Sequence, residues 1–193
     1  MGKPLKFLSF LVISLGLSAP VQALDLENTL YLQLKTGRVT ILMRPDLAPM
    51  HVERIKELVR AKFYDGHKFH RVIKGFMAQT GDPYGDGTGG SGKEIEAEFT
   101  DVPFLRGTAG MARSADPNSA DSQWFITFYP TRHLNGQYTV WGRVVEGMEH
   151  VDAIKKGRGP NGKVKDPDHV IAMRVAADVE TGKETLPTEL TQN

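Results

Sequence analysis

The chain has 193 residues, 40% of them apolar and 24% charged, with a formal net charge of +1 and no cysteine. That length supports one domain with a sizeable core, and the near-neutral balance gives no electrostatic footprint for nucleic acid. The missing cysteines exclude disulfides, thiolate catalysis and cysteine-ligated metals.

The first 23 residues read as a leader. Lys3 and Lys6 precede an apolar run, FLSFLVISLGLSA, and then Pro20-Val21-Gln22-Ala23. This is the pattern of a secretory signal peptide cut after Ala23. The apolar run falls short of the ~18–20 residues a spanning helix needs, so no stable membrane association is expected after cleavage. Removing both lysines takes the net charge from +1 to −1. An exported, periplasmic protein is expected.

TLYLQLKT, from Thr29 to Thr36, alternates apolar and polar residues. Gly37 supplies a turn and Arg38 to Met43 alternates again, which predicts a hairpin. Asp46 is the expected cap of a helix through LAPMHVERIKELVRAK, with Pro49 in its first turn. Val52, Ile55, Leu58 and Val59 form its apolar face. Short strand-like runs follow at 69–73, 76–80, 107–113, 123–128 and 138–144. A second helix is predicted over 148–156, stopped by Gly157, and a last strand over 169–177. The polar tail from Glu180 is expected to be disordered. Many short strands with helices near the two ends predict a mainly β barrel or sandwich.

Residues 81–94, GDPYGDGTGGSGKE, hold six glycines. They match a dinucleotide fingerprint formally, but no amphipathic helix follows them. The phosphate-loop reading also fails, because Glu94 stands where Ser or Thr should hold magnesium. His67 and His70, three apart in an extended run, point to opposite faces and make a poor metal pair. No metal and no cofactor are expected.

Three blocks carry a resemblance. FHRVIKGFMAQTGD spans 69–82, GMARSADPNSADSQWFIT spans 110–127, and HLNGQYTVWGRVVEGMEHVDAI spans 133–154. With the glycine-rich stretch between the first two, the chain resembles the cyclophilins, the peptidyl-prolyl cis-trans isomerases, from about Thr29 to about Ala176. Its exported form is similar to the bacterial periplasmic branch. The resemblance implies a closed antiparallel barrel of eight strands capped by two α-helices, with the active groove on its outer wall. It implies an isomerase domain over 24–178, with a polar tail over 179–193. The glycine-rich stretch becomes a surface loop beside the groove.

The implied reaction is rotation about an Xaa-Pro bond, against a barrier of ~18–20 kcal/mol set by amide resonance. At the top, the proline nitrogen recovers its lone pair. The catalyst needs a proline pocket, a donor for that nitrogen and anchors for the peptide. Phe76, Met77, Phe125 and Leu134 supply apolar lining, and Arg71 supplies a permanently charged donor. Gln79 can hold a substrate carbonyl, and the backbone at Ala112 and Arg113 can pair with an extended peptide. Gln123 and Tyr138 complete the expected contacts. Phe69 is expected in the core. Trp124 and Phe125 must face opposite ways, and the family pattern selects Phe125 for the groove.

His133 stands where the family often has tryptophan, which predicts weak cyclosporin binding. Tyr138 replaces a histidine, and one extra residue falls near Arg113-Ser114-Ala115. The expected partners are proline-containing unfolded or partly folded polypeptides, and the expected state is a monomer. The leading reading is an isomerase that assists the folding of exported proteins. The alternative is a binding module of the same shape that holds unfolded chains without turnover.

Overall fold

The computed structural model describes residues 25–190. The expected leader and residues 191–193 lie outside the described residues. Among the described residues, eight strands make one antiparallel sheet: β1 (Thr29–Leu34), β2 (Gly37–Met43), β3 (Arg71–Ile73), β4 (Met77–Thr80), β5 (Thr108–Met111), β6 (Trp124–Thr127), β7 (Val140–Glu146) and β8 (Ala172–Val175). They are joined in the order β3-β4-β6-β5-β7-β2-β1-β8. The expected hairpin forms in register, with Thr29 opposite Leu42 and Leu34 opposite Gly37.

The sheet is an open half-barrel, and the implied closure does not occur. Its end strands β3 and β8 share no ladder. The free edge of β3 is taken by the turn 157–163 instead: Val72 donates to Gly162, and Gly157 donates to Val72. Residues just before the two end strands span the gap, with a bridge from Lys68 to His169. Spent on a loop, the edge of β3 has nothing left to offer β8.

Among the described residues there are three α-helices where two were expected: α1 (Pro49–Arg60), α2 (Met148–Ala153) and α3 (Ala176–Glu180). α1 packs on β8 and α2 on β2. Val52, Ile55, Leu58 and Val59 are all buried, as the periodicity requires. The cap of α1 differs from expectation. Asp46 turns back to pair with Arg44 at 2.6 Å, and Ala48 holds the N-cap position without a side-chain bond. Glu98, from the loop that follows the glycine-rich segment, accepts the Met50 and His51 N–H groups, each at 3.0 Å. A carboxylate at the helix N-terminus meets both the unpaired amides and the dipole. The tail leaves α3 and returns, with Glu184 3.0 Å from Lys62.

The main core lies inside the half-barrel, under Trp124, Trp141, Tyr64 and Phe69. A second apolar cluster lies on the outer face. It joins Met77, Phe104, Phe125, Leu134 and Val140, with Phe76 and Tyr138 at its margin.

His51, His67, His70 and His169 are each held below the ordinary imidazole value, with burial the largest cause. The unfolded chain takes up protons below about pH 6.5, where the folded chain resists them. The unfolded state then binds more protons, so stability rises with pH across this window and falls on acidification. The urea midpoint is expected to be lower at pH 5.5 than at pH 7.5; an equal or higher midpoint at pH 5.5 would contradict the burial argument.

Candidate active site

The groove sits on the outer face of β3, β4 and β6 and has a volume of about 760 Å³. The pleat decides which side chains reach it. Arg71 is opposite Gln79, Gln79 is opposite Phe125, and Phe125 is opposite Gly110, so one row crosses four strands. Met77 stands two residues before Gln79 on the same face. Trp124 points inward and is fully buried.

The structure brings nine of the expected site residues to this groove: Arg71, Phe76, Met77, Gln79, Ala112, Arg113, Phe125, Leu134 and Tyr138. Phe104 supports the floor from below, its ring stacked on Phe125 at 5.8 Å. The stack is possible because position 110 is glycine. A Cβ there would lie 2.6 Å from Phe104 and 2.7 Å from Phe125. Tyr138 meets Phe125 edge-on at 6.0 Å, and the Arg113 guanidinium lies 4.6 Å above the Tyr138 ring.

The tenth expected residue, Gln123, lies beside the groove. It lines an adjoining pocket of about 320 Å³ that shares Gln79, Gly87, Ala112 and Arg113 with the groove. Its amide is occupied: Nε2 donates to the Gly87 and Gly89 carbonyls at 3.1 and 2.8 Å, and Oε1 accepts from Gln79 Nε2 at 2.9 Å. The Ala112 N–H is also spent, on the Gln123 carbonyl at 2.9 Å. The Ala112 carbonyl and the Arg113 N–H make no backbone hydrogen bond among the described residues.

Arg71 is gripped from two sides. Nη1 donates to Gln79 Oε1 at 3.0 Å, and Nε donates to the Asn161 carbonyl at 3.2 Å. Nη2 donates to no group among the described residues. Burial draws the guanidinium below its ordinary value, but arginine starts so high that it remains cationic at neutral pH. Its buried neighbour His70 is kept low mainly by burial, against the pull of Asp82. The cation therefore stands beside a neutral ring.

Asn161, Lys163, Gln137 and Gly87 also line the groove and were not foreseen. Asn161 acts through its backbone, from 90 positions away, and a backbone contact at that distance leaves no mark on residue type. His133 lies against Phe76 with ring centres 5.3 Å apart.

Residues 29–175 match the family described as cyclophilin type peptidyl-prolyl cis-trans isomerase/CLD. The chain belongs to the cyclophilin-type peptidyl-prolyl cis-trans isomerases. This cyclophilin is 52% identical over 185 residues to a probable peptidyl-prolyl cis-trans isomerase of Brucella suis, covering 89% of this chain and 94% of that one. It is 40% identical to a Helicobacter pylori isomerase over 69% of this chain and 85% of the other. A crystal structure of a cyclophilin from Hirschia baltica superposes with a TM-score of 0.73 at 26% identity, covering 80% of this chain and 76% of that one. A Cryptosporidium parvum cyclophilin solved in the presence of the dipeptide Ala-Pro superposes at 0.70, with 26% identity, over 76% of this chain and 98% of the other.

The crowding at Gly110 gives a direct test. In Gly110→Ala, the new methyl must push Phe125 or Phe104 aside and fill part of the apolar floor. The isomerisation rate is expected to fall at least about tenfold, which is a barrier rise of ~1.4 kcal/mol, while the protein still folds. A folded variant at the wild-type rate would show that Phe125 does not shape the pocket.

Proposed function

We propose that this cyclophilin rotates Xaa-Pro bonds of exported polypeptides, with Arg71 as the donor to the proline nitrogen. One observation carries the assignment: a cation anchored at Nε and Nη1, with Nη2 unpaired among the described residues, lines the same groove as Phe76, Met77, Phe125 and Leu134. The apolar residues hold the proline ring. Gln79 retains one amide hydrogen for a substrate carbonyl, and Tyr138 closes the side of the pocket.

The chemistry asks for no nucleophile. As the bond twists, the nitrogen pyramidalises and its lone pair becomes an acceptor, which it is not in the planar amide. A donor fixed at that point binds the twisted state and ignores the planar one, which is what lowers a barrier. Reaching ~10³ s⁻¹ from ~10⁻² s⁻¹ requires roughly 7 kcal/mol. One charged hydrogen bond supplies about 1.5–3 kcal/mol. Desolvation of the amide in the groove and restraint of the flanking peptide must supply the rest.

The leader pattern supports export to a periplasm, with proline-containing unfolded or partly folded chains as substrates. Cleavage after Ala23 is expected to give a mature protein whose first residue is Leu24. N-terminal sequencing of the secreted product checks this, and an intact Met1 would refute it.

The mechanism is tested by NMR exchange on an Xaa-Pro peptide with the wild type, Arg71→Ala and Arg71→Lys. Arg71→Ala is expected to lose about ten- to a hundred-fold in rate. Arg71→Lys should fare little better, since an ammonium lacks the fork that reaches Gln79, Asn161 and substrate together. Wild-type exchange in Arg71→Ala would remove Arg71 from the mechanism. Titrated with cyclosporin, the same assay is expected to give weak inhibition, because His133 stands where the family often has tryptophan; tight inhibition would refute that.

A further inference from the structure

A line of hydrogen bonds with a forced direction runs from the groove into the glycine-rich loop. Arg71 has donors only, so Gln79 must turn its oxygen toward it. That turns the Gln79 nitrogen toward Gln123, which must answer with its own oxygen, 2.9 Å away. The Gln123 nitrogen then faces outward and gives both hydrogens to the Gly87 and Gly89 carbonyls. A flip of either amide would set like groups against each other. The cation fixes one end of the line and the two carbonyls fix the other.

Asp82 holds the loop at Gly87. Its side chain is 1% exposed and lies outside the groove lining. The carboxylate accepts from Tyr84 N at 2.9 Å, Asp86 N at 3.0 Å and Gly87 N at 2.5 Å. Burial alone would raise this carboxyl; the three amides, led by Gly87, outweigh burial and hold it below its ordinary value. Gly87 thus gives its N–H to Asp82 and its carbonyl to Gln123, at a φ of +100° that side chains rarely tolerate. The fit is close, because a Cβ on Gly89 would strike Asp82 Oδ1.

We infer that Asp82 is a positioning residue for the isomerisation, acting on Arg71 through Gly87, Gln123 and Gln79. It folds the loop so that Gly87 and Gly89 present acceptors, Gln123 holds Gln79 in one orientation, and Gln79 holds the guanidinium with Nη2 toward substrate. This rests on the reading of Arg71 as the donor.

A double-mutant cycle tests it, with wild type, Asp82→Asn, Gln123→Leu and the double variant compared by NMR exchange on an Xaa-Pro peptide. Each single variant is expected to lose about tenfold in kcat with little change in peptide affinity, and to shift the Arg71 Nε–H resonance. The double variant should be no slower than the worse single, because the same line is already cut. Losses that multiply toward a hundredfold would overturn the inference, as would a wild-type kcat or an unmoved Arg71 resonance in Asp82→Asn. If Asp82→Asn does not fold, Gly89→Ala displaces the same carboxylate and takes its place in the cycle, with the same outcomes. Arg71→Ala separates the two claims. A fast Arg71→Ala overturns the donor reading and this inference with it; a slow Arg71→Ala beside a multiplicative cycle overturns only the role of Asp82.

Discussion

The groove depends on the two-residue period of four short strands, whose inner faces are buried in the main core and whose outer faces carry the groove. On the inner face, Val72 lies opposite Ala78, Ala78 opposite Ile126, and Ile126 opposite Ala109. All four are fully buried in the main core. The next row out on the other face is Arg71, Gln79, Phe125 and Gly110. A slip of one residue would exchange the rows, sending a guanidinium and an amide into the core and Trp124 toward solvent. Burial of large apolar side chains at roughly 1.5–3 kcal/mol each holds the register, and the register delivers the groove row. The site's geometry is a by-product of core packing on the opposite face.

The glycine-rich loop is long but tied down. Asp121, Ser122 and Gln123 are consecutive, and each grips it at a different point. Asp121 accepts from Gly92 N at 2.8 Å and bonds the Ser91 hydroxyl. Ser122 donates to the Gly81 carbonyl at 2.8 Å, and Gln123 donates to Gly87 and Gly89. From the other side, Arg54 of α1 reaches Ser91 at 2.6 Å. Glycine serves both bending and room: Gly87 and Gly92 take positive φ, and at Gly90 a side chain would collide with Asp121.

Local patterns in the sequence revealed what local patterns cause. The hairpin, the buried stripe of α1, the inward Trp124 and the outward Phe125 all follow from periodicity, and the structure contains them. The groove residues needed linked motifs, since Phe76 or Met77 alone reads as ordinary core. What escaped is long-range or carried by backbone. Asp46 has the composition of a cap, but Arg44 is two residues away and captures it, while Glu98 arrives from a distant loop. Gln123 has the right type for a substrate contact; only the positions of Gly87 and Gly89 show that its hydrogens are taken. Barrel closure could not be read either, because it turns on whether a turn at 157–163 occupies the edge of β3. α3 was hidden for a simpler reason, since its first two residues, Ala176 and Ala177, extend the apolar pattern of β8 in the sequence.

The first strand of the fold lies beside the last. β1 pairs with β8 from Leu30 opposite Val175 to Gln33 opposite Ala172, and the anchor of Arg71 at Asn161 also comes late in the chain. An emerging polypeptide therefore cannot complete the catalytic site until nearly all of it has been made. Contacts this distant in sequence raise the loop-closure cost that must be met before they stabilise anything, which slows folding. An enzyme of this design gains its activity last, so a growing molecule cannot hasten its own maturation, and any proline-limited step in its assembly proceeds without its own help.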